Sequence, residues 1–327
     1  MNRSRQIFLT VKCEILSRFH FYFLREVYIL KSIARFWNKP SRAAYLFLAP
    51  SLLVLLVFTV VPLLGTFAIS FTDLNIFFTS KNIVGLDNFM RIFSDERAIN
   101  SLLHTLYFTI LETPLQIIVG LFAAVVLSKN TKFNRFCRST FYIPVICSLT
   151  SIAIIFSMLL DPNVGAIPYL FSQLGLPIPQ FFRDPTLAMP TVAIMTVWKN
   201  FGVTMTILLT AIQGISPSLY ESAEMDGATN RQQFFNITLP QIVPSLGFCI
   251  LTNLIGSMQV FDQVYVATSG GPQFKTETAV QYIYSRGFTA PYELGYASAL
   301  SSILFVIIAG VAISTNLYMT HKERQMK

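Results

Sequence analysis

The sequence predicts an all-α membrane protein with six transmembrane helices, an N-terminal amphipathic helix and a short cytoplasmic helix between spans four and five. The prediction rests on 53% hydrophobic residues, only 12% charged residues and a mean hydropathy of +0.57 over 327 residues. An ordinary soluble domain has about a quarter of its residues charged. Lipid must therefore be the solvent for much of this chain.

Each predicted span is an apolar run near the length of about 20 residues that crosses a bilayer as a helix. Four runs carry no charge, whereas two contain one charged residue each, Glu112 and Lys199. We expect a transmembrane domain over residues 41–320 and a cytoplasmic tail over 321–327. The predicted spans are 43–71, 103–127, 139–160, 187–212, 240–261 and 294–319.

The basic residues predict the orientation. Nine Lys and Arg precede the first span, and the link between spans two and three has four of them with no acidic residue. Such clusters remain in the cytoplasm. We therefore expect a multi-pass protein of the bacterial cytoplasmic membrane, with both termini in the cytoplasm. The loop after span four is an exception, because Arg231 is outnumbered there by Glu221, Glu224 and Asp226. Its acidity needs a separate reason.

The net charge of +8 does not indicate nucleic-acid binding, because the basic residues lie between apolar runs where topology explains them. Residues 1–40 mix basic and large apolar residues without a charge-free run. A helix in the cytoplasmic interface fits this segment, and a poorly ordered basic tail is the alternative. We see no cleaved signal peptide. The four cysteines have neither metal-ligand nor disulfide-framework spacing, so no metal site is expected.

The loop over residues 216–240 carries the clearest functional signal. Ser218 and Glu221 form a capping-box pattern behind Pro217, and Gly227 suits the left-handed residue that ends a helix. These signals predict a two-turn helix from Ser218 to Asp226. A helix this short is not stable alone in water, so it needs a surface to pack on. Its natural partner is another protein beneath the membrane.

This loop resembles the cytoplasmic loop of permease subunits of binding-protein-dependent ABC importers. Their pattern is Glu-Ala-Ala, three residues, Gly, nine residues, Ile, one residue, Leu-Pro, and this chain departs from it only by Ser222 in place of the first alanine. The resemblance implies a coupling helix that docks in a cleft of a cytoplasmic ATPase. The residues assigned to coupling are Glu221, Ser222, Ala223, Asp226, Gly227, Ala228, Ile237, Leu239 and Pro240.

The resemblance extends from about Pro40 to the C-terminus and points to the carbohydrate importers. It implies a second related permease, two ATPase subunits and an extracytoplasmic solute-binding protein as partners, within membrane lipid. The chain lacks a GxxxxGK[ST] phosphate loop. It is therefore expected to be a transport subunit that binds no cofactor itself, with ATP and Mg²⁺ on the partner ATPase. The motifs that carry this wider resemblance are Tyr45-Leu46-Phe47-Leu48-Ala49-Pro50, Val197-Trp198-Lys199-Asn200-Phe201-Gly202, Gly270-Gly271-Pro272 and Gly295-Tyr296-Ala297-Ser298-Ala299.

Polar residues inside spans are candidates for the solute path. Glu112 precedes Thr113-Pro114, which favours support of a helix kink over ligand contact. Lys199 could equally pair with a carboxylate or contact solute. Sugars are bound by aromatic faces, amides and hydroxyls, and the resemblance to maltose permeases singles out Asn200, Asn253 and Ser257. Helix-to-helix hydrogen bonding is the alternative for each. The full candidate set is Trp198, Lys199, Asn200, Asn253, Ser257 and Gln259.

Two other function classes compete with the importer subunit. A secondary carrier would need ion-coupling carboxylates or broken helices in two inverted halves, for which Glu112 alone is thin support. A non-transporting scaffold would leave the Leu239-Pro240 spacing unexplained. The solute itself is not fixed by the sequence: mono- or oligosaccharides lead, with glycerol phosphates and uronate polymers as alternatives.

Overall fold

A computed structural model of the chain describes residues 40–80 and 82–325. The predicted amphipathic helix of residues 1–40 lies outside the described residues except for Pro40. The described part is helical, and its single extended contact is an isolated antiparallel bridge between Thr72 and Ile83. The prediction of an all-α protein is confirmed.

The helices are numbered here in chain order. The described residues divide into two compact units, one ending at Gly65 and the other beginning at Thr66. The helices are α1 (Pro40–Leu55), α2 (Val61–Ile69), α3 (Asp87–Ser94), α4 (Glu96–Val126), α5 (Lys132–Ile146), α6 (Leu149–Leu159), α7 (Ala166–Gln173), α8 (Ala188–Gln213), α9 (Pro217–Met225), α10 (Asn230–Gln233), α11 (Leu239–Met258), α12 (Asp262–Ala267), α13 (Ala279–Phe288) and α14 (Leu294–Gln325).

Two π-helical turns, Leu56–Val60 and Phe234–Thr238, each end just before a Val-Pro or Leu-Pro pair. A proline inside a helix has no N–H to donate, and its ring clashes with the carbonyl four residues earlier. The wider π turn moves that carbonyl aside. The apolar segment from α1 to α2 and the segment from α10 to α11 can therefore continue through their prolines at the length of a membrane span.

Helices α4 and α8 form the most extensive pair within the second unit, and α11 packs against both. Gly120 makes the close approach of α4 and α8 possible, because a Cβ atom there would lie 2.7 Å from the Cβ of Thr204. Two apolar clusters lie along these helices. One joins α4 and α8 to the residues after α11 and includes Phe108, Met195 and Val260, and the other joins all three helices and includes Ala124, Met205 and Cys249.

Five described helices are long and apolar enough to cross a membrane, and a sixth span results if one bent pair is counted as a span. The bent pair is α5 and α6, which differ in direction by 98°. The predicted span over 139–160 corresponds to this bent pair, and the sequence did not predict the bend. Cys147 and Ser148 adopt extended backbone angles between the two helices. Hydropathy could not find this break, because both sides of it are apolar.

The observed helices differ from the predicted bounds most at two starts, because one continuous apolar segment begins at Asn230 where we predicted 240, and α4 begins early. We predicted a start at residue 103, whereas the helix begins at Glu96. The Asp95 side chain accepts hydrogen bonds from the backbone N–H groups of Arg97 and Ala98. This N-cap stabilises about two additional turns that hydropathy does not count as span.

Candidate functional site

The short helix of the 216–240 loop is present as α9, Pro217–Met225. Its start differs from the prediction. Ser216 occupies the N-cap position, but its side chain accepts no hydrogen bond from a backbone N–H of the helix. Its hydroxyl bonds the hydroxyl of Ser218 instead. The predicted capping box at Ser218 and Glu221 is therefore wrong. A capping box does occur at the next helix, between Thr229 and Gln232.

The end of α9 is as predicted. Gly227 has φ +78°, the left-handed conformation that side chains disfavour. The N–H of Ala228 bonds the carbonyl of Ala223 at 2.9 Å, and the N–H of Gly227 bonds the carbonyl of Glu224 at 3.0 Å. These two bonds form a Schellman motif, which satisfies carbonyls that the helix end would leave unpaired.

The predicted coupling residues fall into two groups. The exposed group presents acid and small polar side chains on α9, beside Met225, which is 89% exposed. The half-buried group lies beneath it and at the start of α11. The hydroxyls of Tyr220 and Thr238, 2.8 Å apart, join α9 to the turn before α11. This contact links α9 to the segment that leads into the spanning helix α11. The exposed residues are Glu221, Ser222, Asp226 and Gly227, and the half-buried ones are Ala223, Ala228, Ile237, Leu239 and Pro240.

A second candidate site, here called the mid-helix pocket, is a cavity of about 210 Å³ between α4, α8 and α11. It lies between the two apolar clusters, where the side chains that these helices direct toward each other are mostly polar. Four of the six predicted solute-path residues line it, namely Asn200, Asn253, Ser257 and Gln259. The remaining lining residues are Phe108, Glu112, Leu149, Thr196, Gly256, Val260, Phe261, Asp262 and Gln263.

The other two predicted path residues lie elsewhere. The Trp198 ring packs against Phe156, with centroids 5.4 Å apart, and does not line the pocket. The Lys199 ammonium donates to the backbone carbonyl of Val145 at 3.1 Å and to the Asn200 side chain at 3.2 Å. Val145 lies in the last turn of α5, where unpaired carbonyls and the helix dipole favour a cation. Lys199 therefore stabilises the break after α5. Its main partner is a backbone carbonyl, whereas the sequence suggested a carboxylate or the solute.

Two pocket residues also join helices to each other. The Asn253 Oδ1 accepts from Gln116 Nε2 at 2.6 Å, and its Nδ2 donates to the Thr204 hydroxyl at 3.3 Å. The Ser257 hydroxyl lies 3.2 Å from that of Thr113. For these two residues the structural role left open by the sequence is present alongside the lining role.

Sequence reasoning missed Thr196 and Gln263 as pocket residues. Thr196 lies four residues before Asn200, on the same face of α8, so the spacing that paired Asn253 with Ser257 could have found it. Gln263 lies in the short helix α12, outside every predicted span. No sequence signal places it near the pocket.

The N-terminal end of α4 holds a group of polar residues gathered around Asp95, here called the Asp95 network. The hydroxyls of Tyr282 and Tyr296 each donate to Asp95 Oδ2 at 2.6 Å. Arg286 lies 3.5 Å from the same oxygen and 3.6 Å from Glu293. Burial raises the pKa of Asp95, but the tyrosine and backbone hydrogen bonds outweigh it and hold that pKa below its ordinary value. Burial and the bond to Asp95 raise the pKa of Tyr282 to about 12.

Comparison with known proteins was made on the whole chain. Residues 116–327 match the family model described as "binding-protein-dependent transport system inner membrane component". The probable ABC transporter permease protein YurN of Bacillus subtilis is 31% identical over 291 residues, covering 88% of this chain and 99% of that protein. The trehalose/maltose transport system permease protein MalF of Thermococcus litoralis is 30% identical over 275 residues, covering 84% and 92%.

A solved structure agrees with these relatives. It is a bacterial alginate ABC transporter in complex with an alginate pentasaccharide-bound periplasmic protein. One of its chains superposes with a TM-score of 0.76 at 25% identity, covering 89% of this chain and 98% of that chain. The helical arrangement therefore belongs to a known transporter architecture.

Proposed function

The chain belongs to the family of binding-protein-dependent inner-membrane transport components, and on that premise we propose that it forms half of the path of an ATP-driven carbohydrate importer. It is a multi-pass permease subunit of an ABC importer and not an enzyme. The secondary-carrier and scaffold alternatives are not favoured, because the relatives are ABC permeases. The observation that carries the proposal is the family match combined with the exposed, capped helix α9.

The proposed partner of α9 is a cytoplasmic ATPase. A nine-residue helix with three exposed carboxylates nearby and an exposed methionine needs a covering surface. Basic groups on the ATPase would pair with the carboxylates, which explains the acidity of this loop. In this proposal two ATPase subunits bind the ATP and Mg²⁺, a second related permease completes the path, and a binding protein outside the membrane delivers the solute.

A carbohydrate suits the mid-helix pocket. Amide and hydroxyl side chains line it together with Phe108 and Phe261, which is the combination that sugars bind. The relatives named for trehalose/maltose and alginate transport support the same class of solute. We therefore propose that Asn200, Asn253 and Ser257 contact the solute in transit.

The proposed orientation places α9 in the cytoplasm. The Gln213 side chain at the end of α8 donates to the carbonyl of Ser128 at 3.1 Å, and Arg138 donates to the carbonyl of Leu127. The basic link between α4 and α5 and the loop containing α9 therefore lie at the same end of the helices. The positive-inside rule then assigns both to the cytoplasm.

Reporter fusions test this orientation. Fusions at Lys132 and Gln232 should report the cytoplasm, and fusions at Ser172 and Gln273 should report the outside. An outside signal at Gln232 would contradict both the orientation and the docking of α9.

Substitutions at Gly227 and Glu221 test coupling. Gly227→Val forces a branched side chain into the left-handed conformation at a cost of about 1–2 kcal/mol, which displaces the end of α9. Glu221→Lys reverses one exposed charge. Both variants should reach the membrane but lose solute uptake and retain less ATPase on co-purification. Solute-stimulated ATP hydrolysis in proteoliposomes should fall in parallel.

Gly175→Val is the matched control for coupling. Gly175 also has a positive φ, +67°, and open space around it, but it follows α7, far along the chain from α9. This variant carries the same kind of backbone strain and should keep ATPase binding and uptake. Normal uptake and ATPase co-purification in Gly227→Val would remove the main support for the proposed function.

A further inference from the structure

Glu112 is a buried acid in the middle of a spanning helix. Among the described residues it has no cationic partner. The residue is 3% exposed, lies in α4 and lines the mid-helix pocket. Among the described residues, its one hydrogen-bond partner is the hydroxyl of Thr113, at 3.3 Å, and it takes part in no ion pair. Buried charges in proteins are ordinarily paired, so this arrangement requires a reason.

The other residues lining the pocket do not supply a positive charge. They are amides, hydroxyls and apolar side chains, with Asp262 as the one further charged residue at an exposed position. Lys199 is next to Asn200 in sequence, but its ammonium is directed to the Val145 carbonyl and to Asn200. The described residues that line the pocket therefore include two acids and no base.

Hydrogen-bond acceptors are also in excess at this level of α4. The Oε1 atom of Gln116, one turn beyond Glu112, is buried and has no hydrogen-bond partner. The Thr113 hydroxyl is shared between Glu112 and Ser257. Glu112 is the acceptor at this level that lines the pocket, so a ligand rich in O–H donors would suit it, and a ligand that brings further carboxylates or phosphates would not.

We propose that Glu112 contacts the solute, and that the half of the path formed by this chain accepts neutral polyhydroxylated sugars in preference to anionic ones. The proposal rests on the proposed carbohydrate function and narrows it to neutral sugars such as gluco-oligosaccharides, as opposed to uronate polymers. It replaces the kink-support role that the Thr113-Pro114 sequence favoured. A carboxylate accepts hydroxyl hydrogens, whereas a second anion within about 6 Å is repelled strongly enough to weaken binding by about 10- to 100-fold.

The test uses the assembled transporter in proteoliposomes with its binding protein. A neutral gluco-oligosaccharide and the same-length oligosaccharide with one glucuronate are supplied together, and the uptake ratio is measured. The variants are Glu112→Gln and Glu112→Leu. Glu96→Gln is the control, because it removes the same charge from an exposed position of the same helix outside the pocket. Dividing each ratio by that of the wild type cancels the preference of the binding protein, which is the same in every sample.

In Glu112→Gln, the relative uptake of the glucuronate sugar should rise by about tenfold. In Glu112→Leu, uptake of the neutral sugar should fall by about tenfold because the hydroxyl acceptor is lost. Glu96→Gln should leave the ratio within about twofold of wild type. Wild-type ratios and rates in both Glu112 variants would overturn the proposal while leaving the carbohydrate function intact.

A labelling experiment covers the case in which the binding protein delivers only one of the sugars. In a chain whose own four cysteines are replaced by serine, Glu112→Cys should react with a water-soluble methanethiosulfonate during ATP turnover. Ala124→Cys, buried in an apolar cluster of the same helix, should stay unlabelled. Absence of labelling at position 112 would overturn the solute contact. Labelling at 112 with uptake of neither sugar by the wild type would instead contradict the carbohydrate function.

Discussion

The Asp95 network and the mid-helix pocket are both polar regions built around a carboxylate of one helical segment, yet their hydrogen bonding differs. Asp95 caps α4, accepts from two tyrosine hydroxyls and faces Arg286. Glu112, in the middle of the same helix, has a single hydroxyl partner. The Asp95 carboxylate is therefore surrounded by donors of the protein, whereas the Glu112 carboxylate has one donor among the described residues.

This difference separates polar residues that hold the fold together from those that are available to a ligand. The network connects α3, α4, α13 and α14, and the two tyrosines are also part of an apolar cluster with Ile92 and Leu300. The pocket lies where three spanning helices meet and contains open volume. We therefore expect network substitutions to act on stability and pocket substitutions to act on uptake.

The largest stability loss should come from Asp95→Ala. The substitution removes the N-cap of α4 and leaves two buried tyrosine hydroxyls without an acceptor, at a cost of about 3 kcal/mol in the free energy of unfolding. Asp95→Asn keeps a capping oxygen and should lose less. Thermal unfolding of the detergent-purified protein measures both, and equal midpoints for wild type and Asp95→Ala would show that the network does not stabilise the fold.

Asn253→Leu and Asn200→Leu form a matched pair within the pocket. Asn253 joins α11 to Gln116 and Thr204, so its replacement should cost about 1 kcal/mol of stability as well as uptake. Asn200 accepts one bond, from its neighbour Lys199, so its replacement should lower uptake with little change in stability. Both should keep the ATPase on co-purification. If uptake and solute preference stay at wild-type values in both variants, these residues are structural and the solute path lies elsewhere.

The smallest effect is a pH dependence of stability that originates at Asp95. Its pKa in the folded protein is below the ordinary value of 3.8. A group with a lowered folded pKa stabilises the protein above its unfolded pKa, and that contribution is lost as pH falls through the folded value. The unfolding temperature of the wild type should therefore fall more steeply below about pH 4 than that of Asp95→Asn. Parallel curves for the two proteins would exclude Asp95 as the source, because other acids titrate in both.

Long-range pairing explains which sites the sequence could predict. The α9 loop was predicted to within one residue because Pro217 and Gly227 act locally through backbone conformation. Its cap was misassigned, because Ser216, Ser218 and Thr229 are all chemically able to cap and only the observed backbone path selects among them. Of the six predicted path residues, Trp198 and Lys199 do not line the mid-helix pocket, because packing against α5 and α6 determines where their side chains lie.

The sequence by itself determined that the chain is a helical membrane protein, where five of its six spans run, and that a short helix ends at Gly227. These features depend on hydropathy and on local backbone conformation, which are properties of neighbouring residues. Only the tertiary structure decided that the span over 139–160 is bent by 98° and that Lys199 bonds the Val145 carbonyl at that bend. It also decided that Glu112 lines a pocket whose described lining contains no cation. Each of these depends on which distant helix supplies, or fails to supply, a partner for a polar group.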